Sequence, residues 1–229
     1  MRILLMAAAN SKNGYPTDVL ADIISQFTFK NNSIVDEKSK RNLTFTGGAS
    51  VVDGQAVVPH GTGKYTQVAI DYFGAGDFTY EIHFTRTNPV SGEGMVLPCH
   101  WANGGLTSDD NRFSVLVAPD GSIGVCFATS GAAGAYTWRA SAANVVGVLN
   151  REYHVVVERY NGIIKVFVDR VEVLSWSQPA PLWATTGNYL RDTYSGTGNA
   201  GHKWRNLRVA KRALYKHVIP AFVPFPAIP

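Results

Sequence analysis

In Phe78-Thr79-Tyr80-Glu81-Ile82-His83-Phe84-Thr85, apolar and polar side chains alternate without a break. Successive side chains of a strand point to opposite faces, so Phe78, Tyr80, Ile82 and Phe84 share one face and Thr79, Glu81, His83 and Thr85 the other. The segment predicts a half-buried strand, and the pattern recurs. Phe113, Val115 and Val117 run into Pro119-Asp120-Gly121, after which Ile123, Val125 and Phe127 resume. Proline presets φ and glycine accepts a positive φ, so a hairpin is expected there. A second hairpin is expected where residues 153–160 meet Asn161-Gly162 and residues 163–168 return, and Asp169-Arg170 then turns the chain into residues 171–176. With residues 43–45, 55–58, 65–70 and 204–210 the count reaches ten or more strands. The expected fold class is all-β, an antiparallel β-sandwich.

At 229 residues the chain has room for one such domain with arms. Apolar residues at 45% and charged residues at 17% exclude a disordered chain or a coiled coil. The formal charge of +4 is too mild to demand a nucleic acid or a membrane, and it is local. Six basic residues and no acids lie between Gly201 and His217, leaving 15 basic residues against 17 acids elsewhere. Alternation with Leu207 and Val209 makes this stripe a strand, expected as a solvated or subunit-facing edge. The two cysteines, Cys99 and Cys126, cannot build a disulfide framework and are expected as free buried thiols. The opening from Met1 to Ala9 imitates a very short signal peptide but falls below the usual ~15 residues, so export is not expected. No apolar run approaches the ~18 residues of a spanning helix.

Three stretches, residues 87–111, 130–147 and 177–201, do not alternate and are expected as long functional loops. Residues 1–30 are expected as an N-terminal arm with a short helix around 17–26, capped by Thr17 with Asp18 beside its positive end. Residues 31–217 would form the sandwich. Residues 218–229 carry a proline every two to four positions between large apolar side chains, and predict an extended arm near polyproline II.

Several pieces resemble the laminin-G-like branch of the concanavalin-A-like lectin/glucanase jelly rolls, over residues 31–215. They are Ile34-Val-Asp36 leading to Leu43-Thr-Phe-Thr-Gly-Gly48, Gly61-Thr-Gly63-Lys-Tyr65, and Gly76-Asp77-Phe78-Thr79-Tyr80-Glu81. Arg151-Glu-Tyr153-His154-Val-Val-Val157 followed by Lys165-Val-Phe167-Val-Asp169 is similar to the family's aromatic-His-Val hairpin, with Arg170 where glycine is usual. Asn206-Leu207-Arg208-Val209-Ala210-Lys-Arg212-Ala213-Leu214 resembles its closing strand. These motifs concern structure, so the resemblance implies a concanavalin A-like jelly roll more firmly than any activity. It also implies a role as a structural protein of tailed bacteriophages, in capsid decoration, fibre or baseplate. The implied location is the virion, and the implied partners are other virion proteins, further copies of the chain and a host glycan. A free lectin, secreted or at a cell surface, is the alternative.

Catalytic chemistry is poorly represented. The family's glucanases use Glu-x-Asp-x-x-Glu on one strand; Glu81-Ile-His83 replaces the aspartate with histidine and lacks the second glutamate. No enzyme is therefore expected. The histidines do not fall at zinc spacing and Gly-x-Ser-x-Gly is absent, so no cofactor is expected. Calcium stays open at Asp109 and Asp110, which can equally cap a turn. Sugar sites combine an aromatic platform with planar polar groups, which nominates Trp101 with Asn103, Trp138 with Arg139, and Trp183 with Asn188 and Tyr194. Loop tryptophans also serve as interface anchors. Arg205, Arg208, Lys211 and Arg212, with Phe222 and Phe225 of the tail, are the expected assembly contacts.

Overall fold

The computed structural model describes residues 19–61, 63–88, 95–102, 113–130, 136–182, 188–192, 201–221, 225 and 228. In chain order these hold a one-turn helix α1 (Val19–Asp22) and the strands β1 (Ile23–Phe27), β2 (Thr44–Thr46), β3 (Ser50–Val52), β4 (Gln55–Val58), β5 (Tyr65–Ile70) and β6 (Phe78–Arg86). There follow β7 (Met95–Val96), β8 (Cys99–Ala102), β9 (Phe113–Val117), β10 (Ile123–Ala128), β11 (Tyr136–Ala140) and β12 (Glu152–Tyr160). The last are β13 (Ile163–Val168), β14 (Val171–Ser177), β15 (Asn188–Arg191) and β16 (His202–Ala210).

The principal sheet runs β14-β13-β12-β6-β16-β4-β3, with β1 also on β16. β4 pairs with the His202–Trp204 end of β16 and β1 with its Leu207–Ala210 end, so one flank of β16 is shared by two short strands. Two four-stranded sheets, β11-β10-β9-β7 and β2-β5-β15-β8, share a core with the principal sheet. Phe78 and Tyr80 of β6 meet Phe113 of β9 edge-on at centroid distances of 5.5 and 5.7 Å, and Phe73 closes the group. Each such ring contributes roughly 1.5–3 kcal/mol by leaving water.

Both expected hairpins form. Asn161 and Gly162 take φ of 51° and 73°, the paired positive values of a tight hairpin turn, and Gly121 takes 75°. Four expectations need correction. The three long stretches are not plain loops, since they contain β7 and β8, β11, and β15. Strands of two to five residues are too short to announce a period. The helix expected at 17–26 is one turn, followed by β1, so part of the expected N-terminal arm belongs to the sheet. β6 is buried on both faces rather than half-buried. The basic strand β16 is interior, between β6 and the β1/β4 flank, and is not an edge.

Candidate functional site

The outer face of the principal sheet holds a cluster of charged groups. Glu81 and His83 reach it from β6, His154 and Glu158 from β12, and the cross-strand register sets His154 opposite His83. Their rings stack at 4.5 Å and 11°. On β16, alternation alone would send Arg205 and Arg208 to opposite faces, because they are three apart. A bulge resolves this: Asn206 adopts φ 48°, and the register jumps so that Arg205 faces His83 and Arg208 faces Glu81. The same extra residue lets Trp204, Leu207 and Val209 enter the core.

Glu81 is fully committed. Its Oε1 accepts from His154 Nε2 at 2.7 Å, and its Oε2 from Arg208 Nη2 and the Tyr215 hydroxyl, each at 2.6 Å. Burial alone would raise its pKa, but Arg208, His154 and Tyr215 together outweigh that and hold it at about 2. Burial and neighbouring His154 push His83 down to about 4, against the opposing pull of Glu152 and Glu81. A general acid needs a raised carboxyl pKa and an open path to substrate. Glu81, 1% exposed and ionised, has neither.

The lid over this face is the segment after β16. Glu158 Oε1 accepts from the Tyr215 amide at 2.8 Å and Oε2 from the His217 amide at 2.6 Å, while the Leu214 amide donates to Thr79 Oγ1 at 2.9 Å. Ile219 packs on Val156 and Phe167, and the Phe225 ring lies 4.1 Å from the Arg208 guanidinium carbon. The expected assembly contacts are thus largely used within the chain: Arg205 holds Glu152 through two 2.8 Å bonds, Arg208 holds Glu81, Arg212 reaches Asp22 at 3.4 Å, and Phe225 is buried. Lys211 is exposed, and Phe222 lies outside the described residues. Within the expected extended arm, Ile219 and Phe225 sit on their own sandwich. Sequence reading missed Tyr215, Glu158 and the bulge; Asn206, of a type that tolerates positive φ, was the one available signal.

Of the sugar candidates, Trp138 has a described side chain. It stands on β11, an edge strand, and is 42% exposed. Its indole lies over Gly124 of β10, where a Cβ would come within 2.2 Å of ring atoms Cη2 and Cζ2. Glycine at 124 is therefore what lets the ring lie against the sheet. Cys126, opposite Trp138, is a buried free thiol whose pKa burial raises to about 12. Trp101 lies on β8 and Asn188 on β15, where the register pairs Asn188 with Ala102; their side chains are outside the described part. Trp101 and Trp138 thus stand on strands of two different sheets. Asn103, Trp183, Tyr194, Asp109 and Asp110 fall outside the described residues. Among the described residues no three His, Cys, Asp or Glu side chains gather as a metal set, and no helix is long and apolar enough to cross a membrane.

No family model and no curated protein matches the chain. Solved structures do. The binding domain of botulinum neurotoxin serotype D superposes with a TM-score of 0.67 at 8% identity, covering 88% of this chain and 51% of that one. The chain is a jelly-roll β-sandwich. Botulinum neurotoxin type C, whose cell entry depends on two ganglioside molecules, gives 0.65 at 10% identity over 86% and 49%. The serotype D ligand-binding domain in complex with N-acetylneuraminic acid gives 0.67 at 9% over 87% and 50%. The chain spans about half the length of these structures, and at such identity the likeness concerns the fold.

Proposed function

We propose that the chain is a non-enzymatic, glycan-binding β-sandwich with Trp138 as its sugar platform. The observation that carries this is the exposed indole held against Gly124. A fixed aromatic face receives the C–H side of a pyranose with little further loss of rotamer freedom. That a jelly roll of the same architecture has been crystallised with an acidic sugar lends support by analogy of fold. The non-enzymatic half of the reading rests on Glu81, the nearest counterpart to a catalytic carboxylate, being sealed and saturated. On a glycan array the protein is expected to bind a defined subset of sugars without cleaving them. Trp138→Ala should lower that binding by about tenfold or more, the worth of one lost aromatic contact. Binding indifferent to Trp138→Ala, or release of a shortened glycan, would overturn the reading.

At a finer level we propose a virion structural protein that associates with itself and with other virion proteins. The resemblance to jelly rolls of tailed-phage particles supports it; the Pro/Phe tail, whose Ile219 and Phe225 are seated on their own sandwich, would join a neighbour by leaving that seat. With Arg205, Arg208 and Arg212 engaged inside the chain, docking would use the tail itself and the exposed Lys211. Self-association that is equally strong without residues 218–229 would overturn it.

A further inference from the structure

A groove of about 510 Å³ opens between the N-terminal segment and the tail, bordered by Thr28, Lys30, Ser33, Lys40, Asn206 and Phe225. Its volume falls within the roughly 300–1,000 Å³ of small-molecule sites. Its charge is unbalanced toward the positive. Lys30 and Lys40 are exposed, and among the described residues neither takes part in an ion pair. The one carboxylate bordering the groove, Glu37, is already occupied by Gln26 Nε2 at 2.8 Å and by the Thr28 hydroxyl. Val35, Phe225 and Ile228 give the groove an apolar lining beside the lysines, and Ser33 and Asn206 add polar groups to the same lining.

The backbone here is also held in an unusual state. Phe29, Asn31 and Asn32 take φ of 53°, 55° and 56°, Lys40 takes 60° and Asn206 takes 48°. A bulky residue at positive φ is an outlier, and Phe29 is kept there because its ring is buried 4.9 Å from that of Trp204. Strain of this kind persists only where the surroundings over-determine it, and it gathers at binding sites.

We infer that this groove binds a carboxylate-bearing saccharide, of the uronic or sialic acid class. The ligand's carboxylate lies between Lys30 and Lys40, its hydroxyls reach Ser33 and Asn206, and its apolar ring face rests on the Phe225 wall. A bare anion would leave that wall uncovered, and an apolar ligand would leave two ammonium groups unanswered. The site lies apart from Trp138, so the two readings fail separately.

The test is calorimetric titration of the full chain with methyl β-glucuronide, methyl β-glucoside and inorganic phosphate. The glucuronide should bind saturably and the glucoside about tenfold more weakly. The Lys30→Gln/Lys40→Gln variant should lose about tenfold in glucuronide affinity while melting unchanged, since both lysines are exposed. Higher salt should weaken the glucuronide and leave the neutral glucoside unchanged. No saturable glucuronide binding, equal binding of glucoside, phosphate binding as tightly as glucuronide, or indifference to the lysine substitutions would each overturn the inference.

Discussion

Arg208 holds a full charge with no solvent exposure, and Glu81 beside it does the same at 1%. Desolvating such a pair costs several kcal/mol per ion, offset here by the bonds the two groups make: His154 and Tyr215 on the carboxylate, the Tyr215 hydroxyl on Arg208 Nη2 and the Phe225 ring against the guanidinium. His83 lies in the same enclosure and bears the cost differently, by staying neutral. Its folded pKa of about 4 is below its unfolded value of 6.5, so below pH 6.5 the unfolded chain binds the proton that the folded chain refuses. Stability is therefore complete above pH 6.5 and falls as the pH drops toward 4, by about 3 kcal/mol in all from this group. Chemical denaturation of His83→Gln beside the parent across that range should show a shallower fall for the variant. Parallel curves for the two proteins would contradict the assignment.

At the scale of elements, the tail and the β13–β14 turn work together. Asp169 and Arg170 take φ of 48° and 74°, and the positive φ at Arg170 is where the family resemblance expects glycine. Arginine there is strained, but its Nε donates to the Ile219 carbonyl at 3.4 Å, tying the turn to the tail. The tail in turn covers Val156 and Phe167, apolar side chains on the otherwise charged outer face. Removing residues 218–229 uncovers them along with the Arg208 guanidinium. Loss of the Ile219 and Phe225 burial alone should cost about 3–6 kcal/mol. Urea denaturation of the truncated chain should show that loss while its far-ultraviolet dichroism remains that of a β-sandwich and Trp138-dependent glycan binding persists. An unchanged midpoint would mean that the tail contributes nothing to the seat described here.

Across the whole molecule, what the sequence displayed was local. The alternation from Phe78 to Thr85, the Pro119-Asp120-Gly121 turn and the Asn161-Gly162 turn each fix a short-range geometry, and each is found. What it did not display was partnership across distance. Glu81 and Arg208 are 127 positions apart, and only the Asn206 bulge decides that they share a face. The burial of both faces of β6 follows from the segment after β16, whose Leu214 and Tyr215 bond Thr79 and Glu81, and could not be read from β6 itself. Trp138 was named from composition, but its footing on Gly124 needed the β10–β11 register. The seat of the tail also bears on assembly. A tail already satisfied on its own sheet can join a neighbour only by leaving that seat, and the same seat on a second copy offers the same bonds. Exchange then costs little at equilibrium but is slow, since the contacts of Ile219 with Val156, Phe167 and Arg170 and of Phe225 with Arg208 must be released first. Sedimentation velocity is thus expected to show mainly monomer for a gently prepared chain. Larger species should appear after concentrated protein passes through mild denaturant, and should be absent when residues 218–229 are missing. Association of the truncated chain to the same extent would place the self-contact elsewhere and remove the tail from the assembly proposal.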